Sequence, residues 1–425
     1  MPSSRRAIWR TSIAGAVTIL IAVGSAAADT ADDGLWQALG ISGTLRGTFF
    51  SHDFSFDHRA PTESASAWLT AEPERVWGVR AYADGRAQLE HMPRGSRFAW
   101  DLREGYLERS VGRIDLKIGR RILVWGRADK INPTDVWSVR DLTLIATDDE
   151  DQRLGAVAAQ AQWHLGSVSL IGVWQPEWRA PIFPFPPLPA GIAARTVGPA
   201  HAEAQFGFKI DHSGSGVDWS LSYARVIDKT PNLRLESSTI LDFVYQPMEM
   251  LGADAAVPVG QYGLRGEVAY KRQLQRGIAL TATKYDDLFL VAGVERTFGG
   301  EFNVNVQYLY QRNYGFHEPA DITTNPTTRL LMTQNDLATN QFARDMNGLS
   351  IHIIDRLLNE TLSAELGGAV WFGRGGGAMQ PKVSYAVSDR LQVIVGGQIF
   401  FGPGNGFFGE FHESTAVFAE GRWGI

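Results

Sequence analysis

The stretch richest in chemically active side chains is 119–141, GRRILVWGRADKINPTDVWSVRD. Its arginines and aspartates can pair with one another or bind a charged solute, because guanidinium groups make strong hydrogen bonds to carboxylates. Residues 132–135 (NPTD) predict a turn, since proline fixes its own φ and Asn or Asp side chains bond to nearby backbone. Two roles stay open for this stretch: a latch that holds a folded loop, and a site for a solute.

The sequence has few other signs of a catalytic or metal-binding site. The nine histidines are scattered singly, with no H-E-x-x-H or G-x-S-x-G pattern, and the chain has no cysteine. We therefore expect no catalytic residues, no metal and no cofactor. The acidic run 148–151 is interpreted as a solvated outer loop, with calcium binding as the alternative.

Composition excludes several classes of protein. The 425 residues are 44% hydrophobic and 20% charged, with a formal net charge of −6, so nucleic acid is not an expected partner. Plentiful glycine (45) and aromatic residues favour strands and turns over a helical bundle.

The N-terminus predicts export. Three arginines in the first ten residues precede an apolar run at 13–23 and small residues up to Ala28. The apolar run is too short to span a bilayer, so we interpret residues 1–28 as a signal peptide and 29–425 as the exported domain.

Hydrophobic and polar residues alternate along several long segments. In 76–90 the odd positions are apolar and the even positions are mostly polar or charged, and 201–211, 260–271 and 301–314 repeat the pattern. Such segments exceed the five or six residues typical of soluble strands and match the tilted strands of a membrane barrel. The predicted fold class is all-β, a transmembrane antiparallel β-barrel.

The whole chain can be divided in this way into eighteen segments. The predicted strands lie near 43–51, 64–72, 76–90, 100–110, 113–124, 153–165, 167–176, 201–212, 217–227, 240–250, 260–272, 288–298, 301–314, 347–356, 360–372, 378–388, 390–401 and 411–425. Without the two weakest, 64–72 and 240–250, sixteen remain. Short predicted periplasmic turns alternate with long outer loops, of which 125–152, 177–200 and 315–346 are the longest, as in outer-membrane barrels. The link 251–259 is the one long periplasmic connection in this scheme.

The chain end, 416–425, resembles the closing strand recognised by the outer-membrane insertion machinery. We therefore expect this machinery, outer-membrane lipid and lipopolysaccharide as partners, and the outer membrane of a Gram-negative bacterium as the location.

A barrel of this width encloses a polar lumen. The side chains expected to line it are Arg80, Asp84, Arg86, Glu90, Asp115, Lys117, Arg121, Lys209, Arg265, Glu267 and Lys271. Seven are basic, which would favour anionic solutes, although pairing with the neighbouring acids is an equally open explanation. Segment 100–110 fits neither face pattern, so its inward residues are not assigned.

The G-R-x-x-x-x-W-G strand end and the following N-P-x-D resemble a poorly characterised family of porin-like outer-membrane barrels, more distantly similar to alginate-export porins with eighteen strands. The resemblance is specific over 119–155. It implies that this region turns inward and forms a constriction from Arg121, Trp125, Arg127, Asp129, Asn132, Asp135, Arg140 and Asp141.

Three functions follow as hypotheses. The first is a porin-like channel for passive passage of small polar or anionic solutes. The second is a conduit for an inner-membrane exporter of lipid or polymer with a periplasmic carrier, which the resemblance and six prolines in 179–199 suggest. The third is a barrel enzyme of the lipase or protease type, which the absence of motifs disfavours.

Overall fold

Eighteen strands form one closed sheet in the computed structural model, which describes residues 33–52, 61–92, 95–144, 146–183, 191–199, 204–274, 280–404 and 406–425. The predicted signal peptide, 1–28, lies outside the described residues. The barrel strands are β1 Ile41–Phe50, β2 Thr62–Ala71, β3 Val79–Met92, β4 Gly95–Val111, β5 Ile114–Arg121, β6 Ala156–Leu165, β7 Val168–Gln175, β8 Gln205–His212, β9 Asp218–Ile227, β10 Pro247–Val259, β11 Tyr262–Gln273, β12 Asp286–Phe298, β13 Phe302–Tyr314, β14 Asp345–Leu357, β15 Leu362–Trp371, β16 Gly376–Ala386, β17 Leu391–Phe401 and β18 Ala416–Gly424.

Each barrel strand pairs antiparallel with its neighbours in sequence, and β1 closes the sheet against β18 from Thr44 opposite Gly424 to Phe50 opposite Phe418. Closure gives every barrel strand a partner on both sides over at least part of its length, as a hydrocarbon environment requires. The prediction of an eighteen-stranded antiparallel barrel is confirmed, and the sixteen-stranded alternative is wrong.

The two faces of the strands follow the predicted alternation. In β13, Gln307 is 1% exposed and points inward, whereas its neighbour Tyr308 is 42% exposed on the outer face. The same alternation places Glu267 of β11 inside and Leu264 outside. Polar side chains therefore fill the lumen and apolar ones face lipid.

One predicted strand and one predicted link were wrong. Residues Ile240–Val244 belong to a small sheet with Ala193–Val197 and Asn232–Ser237 outside the wall, and the barrel strand β10 runs through the predicted link 251–259. The pattern failed because the inward residues Met248 and Met250 are apolar and pack on a folded-in loop rather than facing water.

A β-bulge explains why segment 100–110 fitted neither face. The β3–β4 register shifts at Asp84 and Gly85, which pair with Glu104 and Leu102, so Arg103 is an extra residue. Phe98, Trp100 and Leu102 face outward before the bulge, and Leu107 does so after it. An inserted residue reverses the alternation of every position beyond it.

The ends of the barrel differ. The start of β1 and the end of β18 lie at the end of the barrel that carries the short turns, such as 112–113, 166–167 and 260–261. This is the periplasmic end by the usual rule for such barrels. The long connections 122–155, 176–204 and 315–344 leave the other end. The last of these contains the helices Pro319–Ile322 and Pro326–Ala338.

Shorter helical segments are Asp33–Leu39, Phe407–Glu410 and two single turns, Asp149–Gln152 and His412–Ser414. Within the described ranges, none of the helices has both the length and the apolar character needed to span a membrane.

Candidate functional site

The connection 122–155, here called the lumen loop, lies across the inside of the barrel. Strand β5 ends at Arg121, directly opposite Ala156 at the start of β6, so the chain leaves the wall below the outer rim that β4 reaches. From there the loop contacts strands on every side of the lumen. Its side-chain and backbone partners include Arg46, Arg86, Arg103, Asp211, Asp254, Glu267, His352, Glu365, Lys382, Glu420 and Arg422.

Glu267 on β11 is the main anchor of the lumen loop. One carboxylate oxygen accepts hydrogen bonds from the backbone N–H of Arg127 (3.0 Å) and Ala128 (3.1 Å). The other accepts from the backbone N–H and the hydroxyl of Thr134, at 2.7 and 2.8 Å. The carboxylate is buried, so four donors converge on a charge that the lumen wall would otherwise leave unpaired.

Two glycines of the motif are explained by close approaches. Gly126 has φ +103°, and a Cβ there would lie 2.6 Å from the nearest Glu267 carboxylate oxygen. Gly119 has φ +137°, and its Cβ would lie 2.3 Å from the carbonyl oxygen of Gly105. Any side chain at either position would be strained and would displace the neighbouring chain.

Ion pairs extend the anchoring on either side of Glu267. Arg127 pairs with Asp254 of β10 and with Asp211 of β8 (2.8 Å). Asp129 accepts from the ring of His352 on β14, with a separation of 2.7 Å. Lys130 reaches Glu365 of β15 at 3.2 Å.

Two residues of the acidic run 148–151 bind the wall, so the interpretation of a solvated outer loop was wrong for Asp148 and Asp151, whereas Asp149 and Glu150 are exposed. Asp148 pairs with Lys382 (2.7 Å) and Arg422 (2.6 Å), and Asp151 pairs with Arg46 (2.7 Å). Lysine and arginine on the inner face of β16, β18 and β1 thus bind this end of the loop. Sequence periodicity could place these cations inside, but it could not show which loop would reach them.

Apolar contacts fix the beginning of the loop. Trp125 and Trp137 pack edge-to-face with ring centroids 5.3 Å apart and are both almost fully buried. They contact a cluster contributed by several strands, which contains Leu123, Val136, Ala158, Val173, Ala224, Val226, Met248, Met250 and Ala269. An apolar base of this size holds one side of the loop against the wall.

The remaining predicted constriction residues hold the loop's own shape. Asp135 accepts from the backbone N–H of Ser138 and pairs with Arg153 at 3.4 Å, and burial raises the pKa of its carboxyl. Asp141 accepts from the backbone and hydroxyl of Thr143. Asn132 lies in the turn and accepts the backbone N–H of Asp135 at its carbonyl oxygen. Sequence reasoning did not single out Arg153.

Asp135→Ala should loosen the lumen loop more than Arg140→Ala does. The first removes the acceptor of Arg153 and Ser138, an expected loss of about 1–3 kcal/mol in the stability of the folded-in loop. Arg140 donates only to the carbonyl oxygen of Asp149 (3.4 Å), and no carboxylate of the described residues lies within 4.0 Å of it. Single-channel recordings should show added noise for Asp135→Ala alone; equal noise in both variants would contradict this assignment.

Most of the predicted lumen cations have carboxylate partners. Arg80 pairs with Glu72 and Glu108, Lys117 with Glu108, Lys209 with Asp211, and Arg265 with Glu295. Three differ: Arg86, Arg121 and Lys271 have no carboxylate within 4.0 Å among the residues that the structure describes. Of the predicted acids, Asp84 pairs with Arg103, Glu90 accepts from Gln88, and Asp115 contacts His164.

A cavity of about 320 Å³ lies where the lumen loop leaves the wall. Its polar lining is Arg121, Gln160 and Lys209, and its apolar lining is Ile122, Leu123, Val124, Trp125 and Ile171. Arg121 donates to the amide oxygen of Gln160 (2.8 Å) and lies over the ring of Tyr106. The cavity combines positive charge with an apolar wall, which suits a small organic anion.

Near the periplasmic end the barrel brings three residues together that sequence spacing did not connect. The His164 ring lies 2.8 Å from Asp115 and 3.1 Å from the hydroxyl of Ser169. The set has the composition of a hydrolase triad, but Ser169 is paired on both sides within the sheet. The ladder uses the backbone N–H groups that an oxyanion site would need, so this arrangement does not favour a barrel enzyme.

The outer helix Pro326–Ala338 covers the lumen loop. Its Leu337 joins a buried cluster with Phe342, Met346 and Trp371, against which Ala128 and Ile131 of the lumen loop pack. Next to it, burial and the nearby Glu318 carboxylate raise the pKa of Asp336 to about 7.

Docking of this helix should weaken as the pH rises through 7. Because the folded-state pKa of Asp336 is raised, the folded loop holds a proton that the undocked loop loses, so the stabilisation is present at low pH and lost above about 7. Asp336→Asn should remove this pH dependence and stabilise docking at pH 8 by about 4 kcal/mol. Protease cleavage of 315–344 between pH 5 and 8 tests it; identical profiles for both proteins would contradict it.

Sequence comparison gives the family. Residues 42–293 match a family described as a protein of unknown function, DUF1302. The chain belongs to the DUF1302 family. The match includes the motif segment 119–155 and all strands from β1 to β11. A comparison with curated proteins found no match.

Solved structures similar to this DUF1302 barrel are outer-membrane porins. OccAB3 of Acinetobacter baumannii is 10% identical, with a TM-score of 0.53 over 91% of this chain and 98% of that one. The outer membrane protein OpdK of Pseudomonas aeruginosa is 9% identical, with a TM-score of 0.53 and the same coverages. OccK2 (OpdF) of Pseudomonas aeruginosa, solved with glucuronate, is 11% identical with a TM-score of 0.52, covering 91% and 96%.

At these identities the likeness concerns the fold. An eighteen-stranded barrel of this kind places the protein in the outer membrane of a Gram-negative bacterium. The distant resemblance to alginate-export porins stays a prediction.

Proposed function

We propose that this DUF1302 barrel is a passive channel for small organic anions and that the lumen loop forms its constriction. The supporting observation is the imbalance of charge left in the lumen. Most wall carboxylates bind the lumen loop or a neighbouring cation, and two of those described, Glu90 and Asp287, accept only from the side-chain amides of Gln88 and Gln341. Arg86, Arg121 and Lys271, by contrast, have no carboxylate within 4.0 Å among the described residues. Cations left over in a narrow, low-dielectric passage attract anions.

The cavity at Arg121 and Lys209 supplies the second part of the argument. Its apolar side, with Ile122 and Trp125, would contact the carbon skeleton of a solute while the two cations face a carboxylate. The neighbour OccK2 was solved with glucuronate, a sugar carboxylate of this chemical class. Carboxylates of sugar size are therefore the solutes that we propose.

Planar-bilayer recording with the full-length exported protein tests the proposal. We expect stable open steps and a reversal potential of anion-selective sign in a salt gradient. Liposome swelling should be faster with glucuronate than with glucose. Cation selectivity would contradict the proposal, and silence in both assays would contradict it and favour the exporter conduit.

A further inference from the structure

Strands β5, β7 and β8 are the shortest of the barrel, with eight residues each. Strand β4 runs from Gly95 to Val111, but its pairing with β5 extends only from Val111 opposite Ile114 up to Gly105 opposite Arg120. No described strand pairs with residues 97–103 on that side. We call this gap in the wall, bounded by 97–103 and by the ends of β5 and β6, the notch.

The notch lies at the depth of the outer lipid leaflet. The lipid-facing residues of β11 stay uncharged from Tyr262 to Tyr270, and those of β13 do so from Phe302 to Tyr310. The corresponding face of β5 is apolar only from Ile114 to Ile118, and Arg120 follows. With about 3.3 Å per residue and a tilt near 45°, the apolar face of β5 ends roughly 10 Å lower than that of its counterparts.

The β4 side of the notch carries an apolar lip. Phe98, Trp100 and Leu102 face outward and are 66%, 74% and 42% exposed. The bulge at Arg103 is what keeps these side chains on the lipid side above the last β4–β5 pair. Aromatic residues of this kind favour the lipid–water interface.

The backbone of residues 153–155 lies against Arg103 at the lower end of the notch, and above it side chains, not a backbone ladder, close the gap. Arg179 pairs with Asp101 of β4 at 2.7 Å and donates to the carbonyl oxygen of Gly155 at 2.9 Å. Arg120 donates to the same carbonyl (2.9 Å) and pairs with Glu177 (3.0 Å). A closure built from ion pairs can open without unpairing any barrel strand.

Asp101 has a second cation within reach. It lies directly opposite Arg86 in the β3–β4 register, and Arg86 has no carboxylate within 4.0 Å among the described residues. Behind the notch, the guanidinium groups of Arg46, Arg86 and Arg103 surround the Trp68 ring at 4.2, 5.4 and 5.0 Å from its centroid. If Asp101 moves to Arg86, it stays paired and Arg179 is released.

We propose that the notch is a lateral gate that admits an anionic amphiphile between the outer leaflet and the lumen. The hydrocarbon tail lies against the apolar lip. The carboxylate or phosphate head group replaces Asp101 as the acceptor of Arg179, and the arginines around Trp68 face it from the lumen side. The ligand class is a single-chain lipid with an anionic head, and the gate operates alongside the axial passage of small anions.

Photo-crosslinking to the full-length exported protein in lipid vesicles tests the gate. The probe is a photoactivatable lysophosphatidate, and mass spectrometry locates the labelled peptides. Asp101→Asn should increase labelling of the lumen-facing peptides that contain Trp68 and Arg86 several-fold. Arg179→Gln opens the same closure but removes the head-group donor, so labelling should fall below that of the unmodified protein.

A matched control variant and a covalent cross-link across the notch complete the test. Asp345→Asn breaks an ion pair with Arg312 (3.4 Å) elsewhere on the wall and should leave labelling unchanged. Because the chain has no cysteine, the double variant Asp101→Cys and Arg179→Cys can be bridged with a short bis-maleimide. Bridging should abolish the lumen labelling that remains in the unbridged double variant, which also lacks Arg179, and leave single-channel conductance as it was. Heat-modifiable gel migration verifies that each variant folds.

Three results would overturn the gate. One is lumen labelling that survives the bridge. Another is labelling confined to the lip at 98–102 in every variant, which would mean that the notch only contacts surrounding lipid. The third is equal lumen labelling by a photoactivatable alkyl maltoside, which would show that Arg179 does not select a negative head group. Conductance is measured separately, so failure of the gate and failure of the anion channel can be told apart.

Discussion

Replacing Glu267 with alanine is expected to raise single-channel conductance several-fold. The Glu267 carboxylate accepts four of the five hydrogen bonds that join Arg127, Ala128 and Thr134 to β11; the fifth runs from Arg265 to the carbonyl oxygen of Arg127 (3.3 Å). Hydrogen bonds to a charged group contribute about 1.5–3 kcal/mol each, so their joint loss weakens docking of the lumen loop by several kcal/mol. A loop released from β11 no longer narrows the passage, and conductance in planar bilayers rises.

Glu295→Ala is the matched control. Glu295 also faces the lumen, on β12, but it accepts from Arg265 and Asn303 of the neighbouring strands. Among the residues that the structure describes, no hydrogen bond joins it to the lumen loop. The single-channel conductance of the Glu295→Ala variant should stay close to that of the unmodified protein. Both Glu295→Ala and Glu267→Ala should remain heat-modifiable. If Glu267→Ala conducts like Glu295→Ala, the lumen loop does not limit permeation.

The strand order was predictable because the signals are local. Alternation of period two and short turns determine each hairpin, and every barrel hairpin joins sequence neighbours. The prediction failed where a non-local contact changed the pattern. Met248 and Met250 face the lumen but are apolar because Trp125 and Trp137 pack there, and Arg103 is an inserted residue that has no signature in a single sequence.

The site could be predicted only in outline. The motif suggested an inward segment, and the structure places it inside the barrel. The partners of that segment lie more than a hundred residues away, as Glu267 does from Thr134 and Lys382 does from Asp148. Which of these distant residues meet depends on the width of the closed barrel. One local signal was available: Gly126 follows Trp125 in the motif, outside any predicted hairpin turn, and glycine permits a close approach by another group.

Arg121→Glu is expected to abolish or invert the anion preference, with little change in conductance noise. Arg121 lines the 320 Å³ cavity together with Lys209, and no carboxylate within 4.0 Å of it among the described residues offsets its charge. The cavity would then carry a negative charge at position 121 and a positive charge at Lys209, instead of two positive charges. The substitution leaves Glu267 and the lumen loop's anchors intact, so it alters the field and not the loop.

Arg272→Glu is the control that distinguishes an effect of the electric field in the lumen on ion selectivity from an effect of the protein's net charge. It makes the same change in formal charge on a side chain that is 62% exposed on the outer side of β11, where solvent and salt screen it over about 8–10 Å. Reversal potentials in a salt gradient should therefore shift strongly for Arg121→Glu and hardly at all for Arg272→Glu. Equal shifts would mean that overall charge sets selectivity, and the cavity at Arg121 would then lie away from the path that ions take.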